Sequence, residues 1–191
     1  MKLLFINACV RGESRTRRLA DKLLLKINKS YDEVCLKDIS FPIVDETFLN
    51  ERSRLAAEND FDNPSFKLAK QFSEADEIVI AAPYWDLSFP ASLKQYFEQI
   101  NVVGITFKYT EEGVPVGLCK AKRLFVVSTA GGYFAPEEYG FGYIKALAEN
   151  YYGIKEVRHI KALGLDIFGA DEEKILLDAE NEIMEMQITN S

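Results

Sequence analysis

The chain has 191 residues, 48% of them hydrophobic and 28% charged, with a formal net charge of −7. That length fits one sizeable core, so a single domain over 1–191 is expected, and the acidic balance argues against nucleic acid, whose phosphates need a basic face. The three cysteines, Cys9, Cys35 and Cys119, cannot all pair and show no CxxC spacing; this speaks against a disulfide framework or a zinc site and for a reducing cytoplasm.

The opening Met1-Lys2-Leu3-Leu4-Phe5-Ile6 mimics a secretory leader, but Asn7 interrupts its apolar run and Arg11 follows. It is too short for a membrane span. Lys2 to Asn7 reads instead as a strand covered on both faces. A helix follows from about Arg15 to Asn28, with Leu19, Leu23 and Ile27 every four residues and Asp21, Lys22 and Lys26 turned to water. Glu33 to Lys37 suits a second short strand. The stretch from Asp38 to Pro64 is a long connection that holds a short helix over Glu46 to Glu58.

Phe66 to Glu74 reads as a helix and Glu77 to Ala82 as a central buried strand ended by Pro83. Pro90 suits the first turn of the next helix, which carries Leu93, Tyr96, Phe97 and Ile100 on one face. Thr106 to Tyr109 and Val114 to Leu118, split by Glu111-Glu112-Gly113, predict a hairpin excursion at about 105–118. Arg123 to Ser128, Gly140 to Tyr152, Glu156 to Lys161 and Glu172 to Met186 complete the alternation as strand, helix, strand, helix. Such alternation specifies an α/β fold with a parallel sheet between helices, and five strands fit the doubly wound order 2-1-3-4-5.

Three loops follow strands in this scheme. In an open parallel sheet, ligands bind beyond the carboxyl ends of the strands, so these loops are the candidate site. Arg11-Gly12-Glu13-Ser14-Arg15-Thr16 runs into a helix whose first N–H groups are unpaired and whose dipole favours an anion. Arg11, Ser14, Arg15 and Thr16 are therefore candidate phosphate ligands. Alone, the segment equally suits an ordinary N-cap at Ser14, and Arg17 and Arg18 equally suit a solvated helical turn. It is neither a P-loop nor a GxGxxG fingerprint. Pro83-Tyr84-Trp85-Asp86-Leu87-Ser88 places the single tryptophan where a planar aromatic ligand or a core-closing ring would suit it. Thr129-Ala130-Gly131-Gly132-Tyr133 offers either close backbone approach to a ligand or a plain turn.

The run from Ala82 through Pro83-Tyr84-Trp85-Asp86-Leu87-Ser88-Phe89-Pro90 to Glu98 resembles the segment by which FMN-dependent NADH azoreductases and NAD(P)H quinone reductases hold the flavin ring. Gly104-Ile105-Thr106-Phe107-Lys108-Tyr109-Thr110 resembles the hairpin of that family, and Thr129 to Gly132 its Gly-Gly loop. The matches fall in the family's order. The resemblance implies a flavodoxin-like fold and FMN as cofactor. Ser14, Arg15 and Thr16 would hold its phosphate, with Arg11 alongside. Pro83, Tyr84, Trp85, Asp86 and Leu87 would line the ring, and Thr129, Gly131, Gly132 and Tyr133 would close its pyrimidine side. It also implies a homodimer, with Phe107, Tyr133, Phe134, Tyr139 and Phe141 as candidate contacts. Three positions depart from the family pattern: Ala8 where serine is usual, Ala130 where arginine is frequent, and Asp86 where asparagine is common.

The expected activity is two-electron transfer from NADH or NADPH to a quinone, azo or nitro compound by a ping-pong route. The chemistry would reside in the cofactor, with no catalytic side chain and no metal. His159 falls on the fifth strand and is expected away from the site. A flavodoxin-type electron carrier and a flavin-free regulatory module of the same fold are the competing readings. Cys9 is either a redox-sensitive thiol or a small buried side chain.

Overall fold

The computed structural model describes residues 2–188, so Met1 of the leader-like run lies outside the described residues. Strands β1 (Leu3–Asn7), β2 (Tyr31–Cys35), β3 (Glu77–Ala81), β6 (Arg123–Thr129) and β7 (Glu156–Ala162) form one parallel sheet in the order β2-β1-β3-β6-β7. Strands β4 (Phe107–Tyr109) and β5 (Pro115–Gly117) pair separately as an antiparallel hairpin. With the hairpin set aside, the sheet has the expected 2-1-3-4-5 order of a flavodoxin-like α/β fold.

Continuous apolar strands follow from burial on two sides. Leu4, Ile6, Ile78, Ile80, Leu124 and Val126 meet Phe66, Phe72, Tyr96, Phe97 and Ile144 on one face. Leu3, Phe5, Val79, Phe125 and Val127 meet Leu19, Leu23 and Ile27 of α1 (Arg15–Ile27) and Leu176 and Ile183 of α6 (Glu172–Glu185) on the other. The register brings Asn7 level with Cys35 and Ala81, and Thr129 level with Ala162. The loops that leave these ends therefore emerge on one edge.

Differences from the expected bounds have local causes. Strand β2 starts and stops two residues earlier than expected, because this edge strand buries only Val34 well and exposes Tyr31, Asp32 and Glu33. Its alternation is too faint to set its ends. Leu36–Asp38 is instead a 3-10 turn. Pro64–Phe66 forms another, capped by Asn63, before α3 (Lys67–Glu74). The connection does contain a helix, α2 (Glu46–Ala57), capped by Asp45. The helix expected over Gly140 to Tyr152 divides into α5 (Phe141–Leu147) and a wider turn, Ala148–Tyr152, ended by Gly153 at φ +75°. That turn abuts the hairpin: a Cβ added at Gly117 would lie 2.2 Å from the Gly153 backbone nitrogen.

Arg17 and Arg18 are not a solvated turn. Arg17 pairs with Asp21 at 2.7 Å and Glu33 at 2.5 Å, and Arg18 with Glu173 at 2.7 Å and Glu180 at 2.6 Å, which ties α1 to β2 and α6. Of the five aromatic residues expected to face a second subunit, Phe107 is buried against Tyr109 and Tyr151, and Phe141 stacks on His159. Tyr133, Phe134 and Tyr139 are exposed. Among the described residues, no helix is long and apolar enough to cross a membrane.

At the opposite edge of the sheet, Glu77 and Arg123 are each 2% exposed, with Arg123 Nε 3.1 Å from Glu77 Oε1 and Lys29 on the same carboxylate. Replacing one partner of a buried pair leaves the other charge desolvated. Urea unfolding of Glu77→Leu is expected to show a loss of about 3–5 kcal/mol.

Candidate functional site

The first loop leaves β1 with Ala8 N–H donating to Ala81 O at 2.8 Å and Cys9 N–H donating to Asn7 Oδ1 at 2.9 Å. These bonds fix where Val10 to Ser14 begins. Ser14 caps α1 in extended geometry, its Oγ accepting from Arg17 N–H at 3.2 Å. The Arg15 and Thr16 N–H groups lie in the first turn, where helical geometry gives them no carbonyl four residues back. Thr16 Oγ1 lies 2.6 Å from Thr129 Oγ1 and joins the first loop to the third. Tyr84 N–H donates to Thr129 O at 2.9 Å and joins the second to the third.

The result is a cleft of about 230 Å³ between the three loops. Its walls are Val10, Arg11, Glu13, Ser14, Arg15 and Thr16 from the first, Pro83, Tyr84 and Trp85 from the second, and Thr129 and Gly131 from the third. Nine of the thirteen residues singled out in the sequence thus line one hollow. The other four do not. Asp86 and Leu87 stand on a turn beyond its rim; Gly132 follows the wall residue Gly131, and Tyr133 turns its ring to Gly164. The hairpin is also absent from these walls.

The wall that sequence reasoning missed is Asp166, from the loop after β7. The rule that selected three strand ends applies to this fifth one too, and Gly164 and Asp166 after Ala162 were its signal. Asp166 Oδ1 accepts from Arg15 Nη1 at 2.7 Å, and Glu172 lies 3.4 Å from the same nitrogen. The guanidinium holds the Asp166 carboxyl below its ordinary range. One end of the cleft thus carries Arg11 and Arg15 and the hydroxyls of Ser14, Thr16 and Thr129 beside the carboxylates of Glu13 and Asp166, and the other is aromatic.

The second loop ends in a tight two-residue turn. Trp85 and Ser88 exchange backbone hydrogen bonds at 2.9 and 2.8 Å, while Asp86 and Leu87 take φ of +49° and +68°. Hairpin turns with both central residues at positive φ normally use Asn-Gly, and a leucine there is strained. The turn's two bonds engage Trp85 and Ser88 and leave the Asp86 and Leu87 N–H groups outside the pair. Two side-chain bonds hold the loop in place: Tyr84 Oη donates to Pro136 O at 3.1 Å and Ser88 Oγ to Tyr139 O at 2.7 Å. Leu87→Gly should relieve about 1 kcal/mol of backbone strain, offset by the added freedom of glycine in the unfolded chain. Thermal unfolding should therefore change little, whereas alanine at position 87 keeps the strain.

Cys9 is 4% exposed, and burial raises its thiol pKa. It fits the small buried side chain rather than a reactive thiolate. His159 is on its expected strand and outside the cleft walls. It lines, with Tyr84 and Ser88, a small apolar recess next to the cleft. Its Nε2 lies 2.7 Å from Ser128 Oγ, its Nδ1 3.4 Å from Glu137 Oε1, and its ring stacks on Phe141 at 4.3 Å. Burial lowers the His159 pKa, against the pull of Glu137.

A histidine with a depressed folded pKa binds fewer protons in the folded than in the unfolded state, so stability rises with pH through that window. Melting temperature is expected to fall as pH drops from about 7 to about 5. His159→Gln, which retains a hydrogen-bond partner for Ser128, should flatten that dependence. The Glu137 carboxylate, whose pKa is lowered by Lys161, titrates in a lower window, so the two effects separate along the pH axis.

Comparison with known proteins bears on the whole chain. A family model described as the flavodoxin-like fold matches residues 1–186. An FMN-dependent NADH:quinone oxidoreductase of Clostridium perfringens is 39% identical over 91% of this chain and 92% of its own length. A second such oxidoreductase, from Clostridium acetobutylicum, is 41% identical over 92% of each chain. The chain belongs to this flavodoxin-like family. Among solved structures, an azoreductase from Bacillus anthracis superposes with a TM-score of 0.83 at 26% identity, over 96% of this chain and 97% of its own. An FMN-dependent NADH-azoreductase from the same species, solved in complex with FMN, superposes at 0.80 with 27% identity over 96% of each chain. The family membership covers the same span as the cleft's four loops, so the site is part of the shared fold rather than an appended module.

Proposed function

We propose that this chain is an FMN-dependent oxidoreductase that passes two electrons from NADH or NADPH to a quinone, azo or nitro acceptor. The observation that carries the reading is the cleft itself, with two arginines and several hydroxyls at the helix end and aromatic rings at the second loop. Its donors fit a flavin mononucleotide. Arg11, Arg15, the Ser14 hydroxyl and the first N–H groups of α1 suit a phosphate, Thr16 and Thr129 offer hydroxyls to a polyol tail, and Tyr84 and Trp85 offer flat apolar surface to a ring. The names of these relatives agree with that cofactor and with quinone or azo acceptors.

When bound, FMN supplies the hydride chemistry. The protein's part is to hold and tune. A ring that extends past the rim of the cleft onto the second and third loops would meet the backbone N–H groups of Asp86, Leu87 and Gly132 as donors for negative charge, with the Asp86 carboxylate opposing that charge. The clamps from Tyr84 to Pro136 and from Ser88 to Tyr139 keep those donors in place before any ligand arrives, which is where preorganised dipoles act best. One face left for donor and acceptor in turn gives ping-pong kinetics. NADH is the donor favoured here, because Arg17 and Arg18 are engaged by carboxylates rather than offered to a 2′-phosphate. Exposed Tyr133, Phe134 and Tyr139 are the aromatic side chains left to contact a second copy in a homodimer, and three free cysteines suit the cytoplasm.

Purified protein is expected to be yellow, to bleach under anaerobic NADH, and to recover its colour on adding a quinone. Parallel double-reciprocal plots would support alternate binding. Absence of sustained NADH oxidation with any quinone, in protein that holds FMN, would favour an electron carrier instead. Arg15→Ala removes one charge-assisted contact and should weaken FMN binding about 10- to 100-fold, read by quenching of flavin fluorescence.

A further inference from the structure

Asp166 puts a negative charge where the proposed reading needs room for a phosphate. The loop that carries it is docked on the Gly-Gly loop by three backbone hydrogen bonds: Gly164 N–H to Gly132 O at 3.2 Å, Leu165 N–H to Ala130 O at 3.2 Å and Asp166 N–H to Gly131 O at 2.9 Å. The carboxylate lies over Gly131. A Cβ at Gly131 would stand 2.2 Å from Asp166 Oδ2, so a glycine there is what admits the acid. From this position Asp166 accepts from Arg15 Nη1 at 2.7 Å, within walls shared with Arg11, Ser14 and Thr16. The Asp166 side chain is 64% exposed and that of Arg15 25%. The pair therefore sits at the mouth, where an incoming anion can reach it.

We propose that Asp166 is an internal competitor for the anion end of the cleft, holding Arg15 until a phosphate monoester displaces it and so setting how firmly the cofactor is retained. This rests on the FMN reading above. A phosphate at the same donors must share or replace the bond that the carboxylate makes, and two anions on one guanidinium repel each other. The residue then weakens binding of phosphorylated ligands alone. It has no such effect on the same ring without a phosphate.

The test compares FMN with riboflavin on the flavin-stripped full-length protein and on Asp166→Asn, following quenching of flavin fluorescence. FMN should bind Asp166→Asn about five- to tenfold more tightly, an effect limited by solvent screening, with riboflavin changed by less than about twofold. Inorganic phosphate alone should raise the melting temperature of Asp166→Asn more than that of the wild type. Asp166→Ser, which keeps the backbone bond to Gly131 O, covers the case in which the asparagine variant folds poorly. Equal or weaker FMN binding by both folded variants would overturn the proposal. So would a matching gain for riboflavin, which would mean a steric rather than an electrostatic effect. Failure of the wild type to bind either flavin would instead overturn the cofactor reading, and the phosphate result would then decide the Asp166 proposal by itself.

Discussion

Everything in this molecule depends on a parallel sheet buried on both faces with its strand ends in register. Burial on two sides demands apolar side chains along the middle of the central strands, at 3–6, 78–81 and 124–127, and parallel pairing demands that each return pass through a helix. The chain then has no choice but to deliver its connecting loops to one edge. Hydrogen bonds between those loops, Thr16 with Thr129 and Tyr84 with Thr129, turn proximity into a defined cleft. The polar groups there are satisfied by one another, and the helix N-terminus is left as the natural place for an outside anion.

The two edges of the sheet divide the labour. The amino end holds Glu77, Arg123 and Lys29, a buried charge cluster with no access to the cleft, and Arg17 and Arg18 use their charge to fasten α1 to β2 and α6. Stability and chemistry thus draw on separate arginines, although all of those near the cleft come from one short stretch of sequence. Arg15 alone stands between the roles, bonded to Asp166 and Glu172 yet facing the hollow.

Much of this was legible because periodicity carries it. Leu19, Leu23 and Ile27 name the buried face of α1, and the apolar run of β3 admits only a central strand. The meeting of three loops follows from topology once the strand order is set. What was not legible lacks such repetition. β2 is an edge strand, half exposed, so its pattern is blurred and its bounds shifted. Asp86-Leu87 contains no glycine, and although aspartate tolerates a positive φ, leucine does not announce one. Asp166 escaped because it joins the site through one side chain, from a loop whose aromatic Phe168 is fully exposed and whose glycines are not adjacent. His159 was placed on the right strand, but its neighbours Ser128 and Glu137 come from sequence 22 to 31 positions away, and only the fold shows that they surround it.

The hairpin of β4 and β5 rests on the wide turn after α5 with main chain against main chain, at Gly117 and Gly153. Contact that close leaves no layer of side chains to slide or compress, so the hairpin is a buttress and not a flap. Its tip at Glu111 to Gly113 is solvent-facing and could lengthen in a descendant without disturbing the sheet. Its foot at Gly117 could not accept even a methyl group without prying the buttress from its seat, so variation along this excursion is confined by geometry to its outer end.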